Sequence, residues 1–140
     1  MVAMLGSTKI NGKKINELVK EGKIKKERLN EIVERTKKGG AEIVKFLEKG
    51  SAFYAPAASG VEMAECYLKD LKKQLPCAAY LNGEYDTKDL YAGVPVIIGS
   101  KGVEKIVELD LNDEERENFK KSVNSVKELF NAAKKIDPSL

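Results

Sequence analysis

Two periods of hydrophobic repetition run along the chain, and the change from one to the other divides it. Between Lys25 and Lys49 the positions Leu29, Ile32, Val33, Thr36, Gly40, Ile43, Val44 and Leu47 step by three and four, which places them on one helix face. Gly39-Gly40 interrupts this stretch. A glycine in a helix interior costs about 1 kcal/mol, so two accounts stand: close approach of another backbone at Gly40, or a break of the helix at Gly39. A second helix is expected from about Phe53 to Lys72, with Phe53, Ala57, Gly60, Val61, Ala64 and Leu68 as its apolar stripe. Gly50 stops the first helix and Ser51 can cap the second. Pro56 falls in the first turn, where its missing N–H does no harm. The small residues Ala57, Ala58, Gly60 and Ala64 suit tight contact with a neighbouring helix, in this chain or in a partner subunit.

The period then shortens to that of strands. Leu75 to Leu81 ends at Asn82-Gly83, Tyr91 to Ile98 ends at Gly99-Ser100-Lys101-Gly102, and Val103 to Leu109 follows. Three strands joined by short turns predict an antiparallel meander, with Pro95 arguing for a sheet edge or a bulge. The last helix is the clearest. Asn112 and Glu115 have the spacing of a capping box, and Phe119, Val123, Val126, Phe130 and Ala133 form one stripe. At the other end of the chain, Asn11-Gly12 between Thr8-Lys9-Ile10 and Lys13-Lys14-Ile15 is a hairpin signal, since both residues tolerate positive φ. A short helical piece over Asn16 to Lys20, closed by Gly22, follows it. The order helix, helix, meander, helix is an α+β layout, read as a single domain over residues 1–140.

Composition narrows the function classes mainly by what it lacks. The chain has no histidine, so no imidazole is available for acid–base work near neutral pH. No G-x-G-x-x-G, P-loop or G-x-S-x-G motif occurs, and Cys66 and Cys77 fit no metal spacing. Both cysteines are expected buried and reduced, as in a cytoplasmic protein. The arginines are Arg28, Arg35 and Arg116, none in the arrangement of a carboxylate clamp; Arg35 is the least easily set aside. Glu62 and Glu65 lie three apart, but an exposed helix face accounts for them more simply than a catalytic pair. Tyr80, Tyr85 and Tyr91 cluster around the meander as cross-strand packing would have them. The positive excess lies in residues 1–50, where lysines are interleaved with Glu17, Glu21 and Glu27 and no aromatic stands among them. That is a solvated helix surface rather than a nucleic-acid footprint. No apolar run reaches the roughly 20 residues of a membrane span. The residues by themselves therefore stop at an α+β domain without a self-sufficient active site.

A resemblance goes further. Glu34-Arg35-Thr36-Lys37-Lys38-Gly39-Gly40-Ala41-Glu42-Ile43-Val44 and Gly50-Ser51-Ala52-Phe53-Tyr54-Ala55-Pro56-Ala57-Ala58-Ser59 are similar to segments of the lactate-dehydrogenase-like malate dehydrogenases. Leu75-Pro76-Cys77-Ala78-Ala79-Tyr80-Leu81-Asn82-Gly83-Glu84-Tyr85 and Val94-Pro95-Val96-Ile97-Ile98-Gly99 continue the likeness in the same order. It implies the C-terminal, substrate-side domain of that enzyme, long helices packed on an antiparallel meander, with the Rossmann half absent. In the family a His-Gly-Asp triplet precedes a Met-Val pair, and this chain opens on Met1-Val2, although Ala3 departs from the proline expected next. The catalytic histidine, its aspartate, the substrate arginines and the NAD-binding half are then expected upstream, and no catalytic residue or metal ligand is expected here.

The resemblance implies oxidation of L-malate to oxaloacetate with NAD, a tricarboxylic acid cycle step, in a cytoplasmic homo-oligomer, dimer or tetramer. Ser51, Ala52 and Pro56 match positions that face substrate and nicotinamide, and the Ala52 and Pro56 identities favour malate over lactate enzymes. The competing expectation is a standalone, non-catalytic protein-interaction module with the same fold. Neither expectation includes nucleic acid or membrane.

Overall fold

Asn11 and Gly12 take φ of 50° and 83°, the double left-handed geometry that a two-residue hairpin turn requires. They join β1 (Lys9–Ile10) to β2 (Lys13–Lys14), with Lys9 opposite Lys14. The structure, a computed structural model, describes residues 1–139. They fall into two compact units, one of residues 3–61 with Met1 and one from Glu62 onward with Val2.

In the first unit α1 (Ile15–Lys20) follows the hairpin and buries Ile15 and Leu18. Its chain stops at Gly22, φ 70°, as the glycine led one to expect. Next come α2 (Lys26–Lys37) and α3 (Gly39–Leu47). Of the two accounts of Gly39-Gly40, the break holds. It falls at Lys38, whose φ of −97° and ψ of 3° leave the helix. A β-carbon built on either glycine would meet nothing within 4 Å, so no backbone approaches there. The physical reason is local: two successive glycines make this the weakest turn, while Lys38 still donates to Glu34 and Arg35 and accepts from Glu42. Only Leu29 of the long stripe is buried; Ile32, Ile43, Val44 and Leu47 stay exposed.

Helix α4 (Tyr54–Leu68) starts where expected and stops four residues short of Lys72, because Asp70 and Lys72 are left-handed, φ 47° and 49°. Its expected stripe is open along its whole length, from Ala57 and Gly60 through Val61 to Leu68. Cys66, outside that stripe, is the one buried position. A β-carbon on Gly60 would meet nothing within 4 Å, so the small residues serve no close contact within the chain.

The second unit is the meander. β3 (Lys73–Asn82), β4 (Lys88–Gly99) and β5 (Gly102–Ile106) pair antiparallel in that order. Burial alternates along β3 and β4, so Leu75, Cys77, Ala79, Leu81, Leu90, Ala92, Val94, Val96 and Ile98 share one covered face. The other face is open and carries Tyr80 opposite Tyr91, ring centroids 5.4 Å apart. The covered face meets α5 (Asp113–Ile136) through β4. Asn112 and Glu115 close the capping box in both directions, at 2.9 and 3.1 Å. Phe119 and Val123 are buried, whereas Val126 and Phe130 continue the stripe into solvent. Among the described residues no helix is long and apolar enough to cross a membrane.

Pro95 does not mark an edge. It lies in the central strand, opposite Pro76 on β3, and the bulge of β4 against β5 falls between Ile97 and Ile98 instead. Strand residues aim their N–H and C=O at one neighbour and then the other. The Pro95 carbonyl accepts from Val107 N at 2.8 Å, so its missing N–H is lost on the β5 side alone. The Val107 carbonyl, left without that donor, takes the Tyr85 hydroxyl at 2.6 Å, and the same hydroxyl accepts from Leu109 N at 2.9 Å. Tyr85 itself is left-handed, φ 53° and ψ 32°, in the turn Glu84–Asp86 between β3 and β4, with its ring 5.1 Å from that of Phe119. One phenol thus repairs the ladder at a proline and ties the β3–β4 turn to α5.

Replacing Tyr85 with phenylalanine leaves both backbone groups short of a partner and should destabilise the chain by about 1–3 kcal/mol, read by urea unfolding. Burial holds the Tyr85 hydroxyl above its ordinary value of 10.0. Its folded pKa being raised, the stabilisation is complete below pH 10 and is lost as pH climbs through the higher folded value. A Tyr85→Phe chain should show a shallower alkaline decline.

Candidate functional site

The three positions singled out in the sequence, Ser51, Ala52 and Pro56, come together in the connection between α3 and α4. Glu48 N donates to Val44 O and ends α3. Glu48 then takes φ 61° and ψ −33°, and Lys49 N bonds back to Leu47 O at 2.6 Å, closing a three-residue turn. Gly50 follows at φ 88°, where a side chain is disfavoured. A second three-residue turn closes when Phe53 N donates to Ser51 O at 2.8 Å, with Ala52 at its centre. Helix α4 begins at Tyr54, and Pro56 is its third residue, a position with no N–H to lose. Ser51 engages through its carbonyl, not through the capping hydroxyl that the sequence had offered. Ser51 and Pro56 are exposed and Ala52 partly so. The rings of Phe53 and Tyr54 lie 4.6 Å apart beside them.

Every side chain from Ser51 to Pro56 is uncharged. Such a loop can shape a cavity and exclude water; it has no charged group with which to neutralise a carboxylate, only the hydroxyls of Ser51 and Tyr54 as side-chain donors. Several ionisable groups elsewhere are engaged with one another. Arg35 forks onto Glu42 across the α2–α3 break, at 3.1 and 2.8 Å, which raises the guanidinium pKa and lowers that of the carboxyl. This gives Arg35 a structural task. Glu65 is lowered by its hydrogen bond to Lys69, and Glu62 pairs with Lys73, so the two carboxylates do not act as a pair. Burial pushes the Cys77 thiol up, with the Cys66 charge adding to it. Both cysteines are free and buried. The Asp89 carboxylate, accepting from Tyr80 at 2.9 Å, raises that phenol. Among the described residues no group of three or more His, Cys, Asp or Glu side chains is placed to hold a metal ion.

Residues 1–136 match the family described as lactate/malate dehydrogenase, alpha/beta C-terminal domain. The chain belongs to that family. A malate dehydrogenase from Pelagibacter ubique (strain HTCC1062) is 64% identical over 140 residues, which is 100% of this chain and 44% of the relative. The crystal structure of Cryptosporidium parvum malate dehydrogenase superposes with a TM-score of 0.87 at 47% identity, covering 92% of this chain and 41% of that one. Lactate dehydrogenase from Eimeria maxima, crystallised with NADH and oxamate, gives 0.91 at 44% identity, covering 96% and 42%. This lactate/malate dehydrogenase C-terminal domain thus spans less than half the length of the relatives it matches. The family match runs through both compact units.

What the sequence did not reveal here is Glu48. Gly50 announces a turn, but nothing in the residue type at 48 announces a left-handed backbone. Gly50→Ala forces a β-carbon onto φ 88° and should destabilise the chain by about 1–2 kcal/mol in urea unfolding. An unchanged midpoint would mean that the turn re-forms without the glycine.

Proposed function

We propose that residues 1–140 are the C-terminal domain of an NAD-dependent malate dehydrogenase, a cytoplasmic homo-oligomer, and that the α3–α4 loop walls its substrate pocket. The reaction is L-malate and NAD to oxaloacetate and NADH, the tricarboxylic acid cycle step. The observation that carries this reading is the 64% identity to a malate dehydrogenase along the entire chain. The missing histidine agrees with it: the acid–base group is supplied by the part of the enzyme outside these residues.

NAD, when bound, supplies the hydride acceptor. The fit of this chain to it is that of a wall. Ser51, Ala52 and Pro56 are small, uncharged and accessible, which suits the flat face of a nicotinamide ring and a small dicarboxylate beside it. Their role is to limit the volume, keep water out and hold the reactants close, which is where intramolecular geometry contributes most of its rate advantage. General acid–base catalysis and charge pairing with a carboxylate need groups these positions do not have.

Joined in frame to the N-terminal part of the Pelagibacter ubique relative, the chain should restore malate-dependent NAD reduction, whereas the purified 140-residue chain should show none. Ala52→Leu in the chimera should lower kcat/KM at least about tenfold, since added bulk in a fitted site displaces reactants. A chimera that folds and assembles but does not oxidise malate sinks this reading.

A further inference from the structure

We propose that Glu48 is a positioning residue for the pocket wall, acting through its backbone rather than its carboxylate; this rests on the malate dehydrogenase reading above. Its conformation is the starting point. At φ 61° and ψ −33° it lies outside the ordinary left-handed helical well, where ψ is positive, as at Tyr85 with ψ 32°. Three-residue turns with positive φ are rare and strained for a residue that carries a β-carbon. The 2.6 Å bond from Lys49 N to Leu47 O holds it there.

The side chain offers no reason for this strain. Among the described residues no hydrogen bond or ion pair engages the Glu48 carboxylate, whereas Glu42 on the same helix is held by Arg35. Nor does packing, since Glu48 is exposed. What the conformation does is geometric. It turns the chain at the end of α3, three residues before Ser51, and with Gly50 and the second turn at Ala52 it sets the course of the backbone into the wall. Strained residues persist where the surroundings over-determine them, and they gather at sites whose geometry must be fixed in advance. A glycine at 48 would adopt the same angles without strain, but it would also free the loop to leave them.

The experiment compares Glu48→Gly with Glu48→Gln in the active chimera. Glu48→Gln keeps the β-carbon and the strain and should retain wild-type kinetics. Glu48→Gly should keep or raise the melting temperature yet lower kcat by about 10- to 100-fold, with KM for malate changed far less. That split separates positioning from mere folding, which would take activity and melting temperature down together. Wild-type kcat in Glu48→Gly overturns the inference, as does loss of kcat in Glu48→Gln, which would assign the effect to the carboxylate. An inactive wild-type chimera fails the malate dehydrogenase reading instead, so the two failures are distinguishable.

Discussion

The pairing of β3 with β4 is the constraint on which the second unit depends. Nine consecutive positions of β3, Lys73 to Leu81, are in one register with β4, and every second one faces the covered side. A slip of one residue would turn Tyr80 and Tyr91 inward and expose Leu81 and Val96, both fully buried as the chain stands. Burying such side chains is worth about 1.5–3 kcal/mol each, so the register is held by the apolar row rather than by the turn. The turn adds to it through Tyr85, whose hydroxyl fills the hydrogen-bonding gap that Pro95 opens and whose ring lies against Phe119. A proline in a central strand is thereby tolerated.

The first unit is organised differently. Its helices carry well-formed apolar stripes, but only Ile15, Leu18 and Leu29 are buried among their large residues. Phe46 is 77% exposed and Tyr54 71%. Patches of that kind mark surfaces that meet something else. The relatives that match are more than twice the length of this chain, which it covers to 44%. Its course is set by local devices instead: a two-residue hairpin, glycine stops, and the Arg35–Glu42 fork that spans the break between α2 and α3.

The candidate wall sits at the end of this lightly packed stretch. It is fixed by backbone conformation more than by side-chain packing, through three unusual centres in succession: strained Glu48, Gly50, and the turn at Ala52. A wall made of small uncharged residues has to be rigid to be useful, because it has no strong interaction with which to draw a reactant into place.

The sequence by itself determined the elements and most of their ends. Asn11-Gly12, the stop at Gly22, the capping box at Asn112 and the alternation of β3 and β4 are all consequences of residue type at short range, and each is found where the pattern put it. The same holds for the grouping of Ser51, Ala52 and Pro56, which are neighbours in the chain. Tertiary structure alone decided which apolar stripes are covered, because periodicity says that a face is apolar and not what lies against it. The α4 stripe was legible and is open, whereas Cys66, off that stripe, is buried. Pro95 read as an edge residue because a lost N–H is costly in a central strand; that cost disappears only when a tyrosine ten positions earlier supplies the missing donor. Glu48 was invisible for a related reason: its dihedrals are held by the turn that Lys49 N closes onto Leu47 O, and no residue-type preference records such a strain.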